Sequence, residues 1–137
     1  MSWTSINLKE INPAQLDLVA AGSYKFRLNP GAKYNDRGSI LASATIESDG
    51  EFTGKRMLFS YPDPESTDKN GKVQNWSSVA LKRLEVATGQ EVQDGEDPVA
   101  FLNRIAGSFF QTGVTVKEDE TGTKRSNLQL LNVKPAA

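Results

Sequence analysis

Neither cysteine nor histidine occurs among the 137 residues. Without cysteine there is no disulfide, no thiolate nucleophile and no cysteine-ligated zinc or iron–sulfur site. Without histidine there is no imidazole base, no serine–histidine triad and no histidine-held metal. Carboxylate, lysine and tyrosine chemistry remain, so the sequence points away from an enzyme and implies neither a cofactor nor a metal. Glycine-rich phosphate loops of the common types are also missing. Asp63, Glu65 and Asp68 crowd one loop, and residues 66–71 follow part of a calcium-loop pattern. The twelfth position would be Ser77, however, where such a loop needs a bidentate glutamate. No stretch approaches the ~18 apolar residues of a membrane span, and the first nine residues contain no secretory hydrophobic run. A cytoplasmic protein with no membrane partner is expected.

What is present fits one globular domain: 15.0 kDa, 37% hydrophobic and 24% charged residues. A chain of this length can bury roughly two-thirds of its unfolded surface, enough for a core of its own. The net charge of −1 conceals a segregation. Residues 22–62 carry six bases against four acids, whereas residues 91–120 carry seven acids against Arg104 and Lys117. Lys124, Arg125 and Lys134 then leave the last 17 residues at +3. Charge sorted in this way can build a local basic groove on a near-neutral protein, and polyanions respond to that local field.

Periodicity organises the chain. Residues 1–21 read as a polar lead-in, with a short helix after Asn12-Pro13 that Gly22 would stop. From residue 23 the period becomes two: Tyr24, Phe26 and Leu28 share one side, Lys25 and Arg27 the other. Pro30-Gly31 marks a turn or bulge, beyond which the strand resumes toward Tyr34. A second strand is expected over 39–47 and a third over 55–61, joined by Ser48-Asp49-Gly50 turn chemistry. Trp76, Val79, Ala80, Leu84 and Ala87 recur at helical steps up to Gly89. Asp97-Pro98 should cap a shorter helix that Gly107 terminates. A fourth strand over 108–117, with Gly113 as a bulge, and a last one over 124–133 complete the order. Three strands, a helical insertion and two strands is the chain order of the OB-fold, a five-stranded barrel. The expectation is a mainly β protein with a helical insertion between strands three and four, the domain spanning residues 22–137. A two-sheet sandwich with the same insertion also satisfies the order.

Aromatic and basic residues interleave on the first three strands. Single-stranded nucleic acid calls for this mixture, because cations follow phosphates and rings stack on bases of any sequence. The candidate DNA-binding residues are Lys25, Arg27, Lys33, Tyr34, Arg37, Arg56, Tyr61, Trp76 and Arg125. Phe26 and Phe59 read as barrel core, and Tyr34, in a basic loop, as an exposed stacking ring. Trp76 also suits packing at the head of its helix, and Arg125 opens the last strand beside a loop.

Gly22-Ser23-Tyr24-Lys25-Phe26, the block from Gly54-Lys55-Arg56-Met57 to Ser60-Tyr61-Pro62, Trp76-Ser77 with Leu81-Lys82, and Arg125-Ser126-Asn127-Leu128 together carry a resemblance. Over residues 22–134 the chain resembles small bacteriophage single-stranded-DNA-binding proteins, a family long carried as a domain of unknown function. The resemblance implies an OB-type fold, protection of single strands during phage replication or recombination in the host cytoplasm, and replication or recombination proteins as further partners. Many single-stranded-DNA-binding proteins end in an acidic recruiting tail. This chain ends Val133-Lys134-Pro135-Ala136-Ala137, so no tail-mediated recruitment is expected. The competing reading is a phage structural or host-interaction module whose β surface docks protein.

Overall fold

Side-chain alternation builds a sheet around one central strand. In the computed structural model, which describes residues 18–67, 71–72 and 75–136, that strand is β1 (Gly22–Leu28), with Phe26 and Leu28 buried on one face. Residues 29–32 interrupt it at Pro30-Gly31, and β2 (Lys33–Tyr34) resumes the same line. Both pair antiparallel with one edge of β3 (Ile40–Ile46), whose other edge takes β4 (Arg56–Tyr61). On its far side β1 pairs with β5 (Phe109–Glu118), and β5 with β6 (Lys124–Leu128). The result is mainly β: an open, six-stranded antiparallel sheet with two helices.

The core lies on one side of this sheet. Small residues of β3 meet large ones across the ladder, Ala42 against Phe59 and Ala44 between Leu28 and Met57. This alternation of sizes lets the side chains interdigitate. Phe26 stacks on Phe110 with ring centroids 5.5 Å apart. Helix α1 (Trp76–Thr88) buries Ser77, Ala80, Leu84 and Ala87, one stripe at three- and four-residue steps. It ends at Gly89, whose φ of 70° supplies the left-handed cap. Helix α2 (Pro98–Arg104) starts as its sequence requires: the Asp97 carboxylate accepts the Val99 and Ala100 N–H groups, and Pro98 occupies the first turn.

Four sequence expectations need correction or placement. The barrel is not closed, since β4 and β6 form no ladder with one another among the described residues. Gly113 is not a bulge but pairs in register with Ser23. An added Cβ there would meet the Gln129 carboxamide, and that flexible side chain would have to move aside. The last strand stops at Leu128 rather than 133, because adjacent Leu130 and Leu131 break the period of two and a 3-10 turn (Leu130–Asn132) replaces it. The chain then returns to β5 through an isolated bridge between Lys134 and Gln111. The helix expected after Asn12-Pro13 lies outside the described residues, except for 18–21, which have irregular backbone. Val19 within that stretch is buried and exchanges two hydrogen bonds with Ser126, its N–H donating to Oγ (2.7 Å) and its carbonyl accepting from it (2.6 Å).

Candidate nucleic-acid interface

Directly paired residues in antiparallel strands point to the same face, so the register decides what the solvent side of the sheet displays. Lys25 and Arg27 alternate with buried Phe26 and Leu28. Lys33 pairs with Leu41, and Arg56 with Thr45, which itself pairs with Arg27. Lys117 and Arg125 pair with each other on the same side, in register with Gln111 and Gly113. Six cations from five strands therefore share the face opposite the core. The strands place no carboxylate on it, because Glu118 falls on the other side, opposite Lys124. Just beyond β3, Glu47 forms an ion pair with Arg27 at 3.4 Å.

Two more of these cations are held by neighbours. Arg56 donates from Nε to the buried Ser43 hydroxyl (3.1 Å), which also accepts from Asn29 Nδ2 (3.3 Å). Asn29 Oδ1 in turn accepts from Thr45 Oγ1 (3.1 Å). The guanidinium is thus anchored through one nitrogen while the side chain remains exposed. The Lys25 ammonium lies 4.7 Å from the centroid of the Phe109 ring. Apolar groups punctuate the face: Leu58 is 73% exposed, and Leu41 and Phe109 are also open to solvent. At the β4 margin a cleft of about 910 Å3 runs toward β6, with Lys33, Arg56, Leu58, Trp76, Lys117 and Asn127 among its walls.

The aromatic candidates separate. Tyr61 is 1% exposed, so its ring belongs to the core and is unavailable for stacking. Its parity with Met57 puts it there, since both point inward from β4. Trp76 is half-buried at the start of α1 and packs against the core while bordering the cleft. Phe59 likewise packs against the core from a half-buried position, and Phe26 is fully buried. Tyr34 is 48% exposed but lies on β2 rather than in a loop. Its partner across the ladder is inward-facing Ile40, so it sits at the margin of the core-facing side, not on the cationic face. Its hydroxyl donates to Asp97 Oδ1 (2.7 Å), within the acidic segment. Arg37 is exposed in the turn between β2 and β3, where Asn35 Oδ1 accepts its backbone N–H.

The interruption between β1 and β2 is braced by α2. Asn103 Oδ1 accepts from the Gly31 and Ala32 N–H groups (both 2.9 Å), and its Nδ2 donates to the Ala32 carbonyl (3.1 Å). Sequence reasoning missed this residue, and also Phe109. The adjacent pair Phe109-Phe110 was the available signal for the latter: on a strand, one of two neighbouring rings must face away from the core. Among the described residues no group of three or more acidic side chains is placed to hold a metal ion.

Titration of the phenols yields one expectation. The hydrogen bond to Asp97, then partial burial and the carboxylate's charge, push the Tyr34 phenol up to about 12. Burial raises Tyr61 as well. Both stay protonated in the fold after the unfolded chain has ionised near pH 10, so folding binds protons there. Their stabilising contribution is complete below pH 10; that of Tyr34 should be lost as pH rises to about 12, and that of Tyr61 continues to fall beyond it. Chemical denaturation followed by circular dichroism should show the midpoint falling across that window; a flat midpoint would contradict the assignment.

A scan against protein-family models and a comparison with curated proteins both found no match for the chain. Among the described residues no helix is long and apolar enough to cross a membrane.

Proposed function

We propose that this protein binds single-stranded DNA with little sequence preference, through an open, OB-like sheet whose solvent face carries the phosphate contacts. The observation that supports this reading is the shared face of Lys25, Arg27, Lys33, Arg56, Lys117 and Arg125, without a strand carboxylate among them. Cations arranged beside exposed rings follow a flexible polyanion whose bases are unpaired. The strand pairing supports the OB comparison: β1 lies between β3 and β5, β4 beside β3, and β6 beside β5. The resemblance to phage single-stranded-DNA-binding proteins favours a role in protecting DNA during replication or recombination, with no catalytic step.

A second reading, a module that docks protein, is favoured by Leu58, highly exposed on β4, whose outer edge has no strand partner among the described residues. Fluorescence anisotropy separates the two. A dT oligomer of roughly 30 nucleotides exceeds the footprint of one OB-type module and should bind at low salt, while duplex DNA of equal length binds weakly. Absence of dT binding by protein verified as folded would overturn the DNA reading.

A further inference from the structure

Phe109 is 44% exposed at the end of β5 that borders Lys25 and Arg27, an arrangement that core packing does not require. Its neighbour Phe110 fills the core position and stacks on Phe26. Phe109 itself pairs across the ladder with Arg27, and the ammonium of Lys25 lies over its ring. A base stacked on this ring would displace the Lys25 ammonium from over it and have both cations, side by side on β1, beside its attached phosphates. The platform is already fixed, because β1 and β5 pair at six successive positions from Gly22↔Val114 to Arg27↔Phe109. Binding there would order little that is not ordered beforehand.

The other described rings are poorer platforms. Phe26, Tyr61, Phe101 and Phe110 are buried, and Tyr24, Phe52, Phe59 and Trp76 pack against the core. Tyr34 is exposed, but it lies off the cationic face with the Asp97 carboxylate at its hydroxyl, where negative charge repels phosphate.

We propose that Phe109 is the base-stacking residue of the interface, with Lys25 and Arg27 contacting the flanking phosphates. This rests on the single-stranded-DNA reading and specifies which ring serves it. Stacking on one aromatic side chain corresponds to roughly 5- to 150-fold in affinity.

The test compares dT with an abasic oligomer of equal length, for the wild type and for Phe109→Ala, Phe109→Leu and Phe109→Tyr. The wild type should prefer dT. Phe109→Ala should lose that preference, weakening on dT while binding the abasic strand as before. Phe109→Leu keeps apolar bulk without a π face and should lose most of the same affinity, whereas Phe109→Tyr should retain it. Melting temperatures should stay near the wild-type value, because the ring lies outside the core. Equal dT affinity for wild type and Phe109→Ala overturns the assignment while leaving DNA binding intact, and so does a leucine variant as good as phenylalanine. A wild type that binds neither strand overturns the DNA reading and this assignment with it.

Discussion

Phe26→Ala should cost roughly 3–5 kcal/mol of folding stability, the usual consequence of removing a buried phenylalanine from a core that relaxes only partly. Phe26 is 0% exposed and sits on the strand that joins both halves of the sheet, opposite Ile46 on one side and Phe110 on the other. Its ring stacks on Phe110 at an interplanar angle of 16° and meets Tyr24 edge-on at 6.4 Å. Truncation leaves a cavity between β1, β3 and β5 and strands the Phe110 ring without its partner. For a domain of this size the melting temperature should fall on the order of 10–20 °C. Because the side chain points away from the cationic face, DNA affinity per folded molecule should not change. A melting temperature within about 2 °C of wild type would show that the core is not centred on this residue.

The second large effect concerns salt. If about three to five phosphates are neutralised by the face that holds Lys25, Arg27, Lys33, Arg56, Lys117 and Arg125, log K should fall with log salt at a slope near −2 to −3.5. A tenfold rise in salt then weakens binding roughly 100- to 3,000-fold. Arg27 already shares its charge with Glu47, so its share of the slope should be smaller than that of Arg56. Arg56→Ala should make the slope shallower by ~0.7 and leave base preference unaltered, the mark of a phosphate contact. Affinity that ignores ionic strength would show that the face does not act through its charge.

Local pattern was enough for most of the elements. Period-two alternation located β1, β3 and β4, and the Asp97-Pro98 cap and Gly89 stop located the two helices, because each signal lies within a few residues of the feature it controls. Period two over β4 puts Tyr61 on the same side as Met57 and Phe59. Reading Tyr61 as a DNA contact set that parity aside, and the structure shows the shared side to be the inner one. Features that depend on distant partners were not legible. That Gly113 accommodates Gln129, that Asn103 holds residues 31 and 32, and that Tyr34 meets Asp97 are contacts between segments 16 to 72 residues apart. The gap between β4 and β6 belongs to the same class, since no pattern within either strand states whether their edges meet. The cations were legible one by one as outward residues, but their gathering on one face follows from register, which pairs strands from across the chain.

The bonds between Val19 and Ser126 bear on where a shortened version of the chain could begin. Alternation places the first strand at residue 22 or 23, and a fragment designed on that pattern would start just after Val19. It would remove a side chain that is wholly buried and leave the Ser126 hydroxyl without the backbone groups that now satisfy it. The folding unit therefore reaches back at least to Val19, and residues 18–21 form a clasp across the last strand.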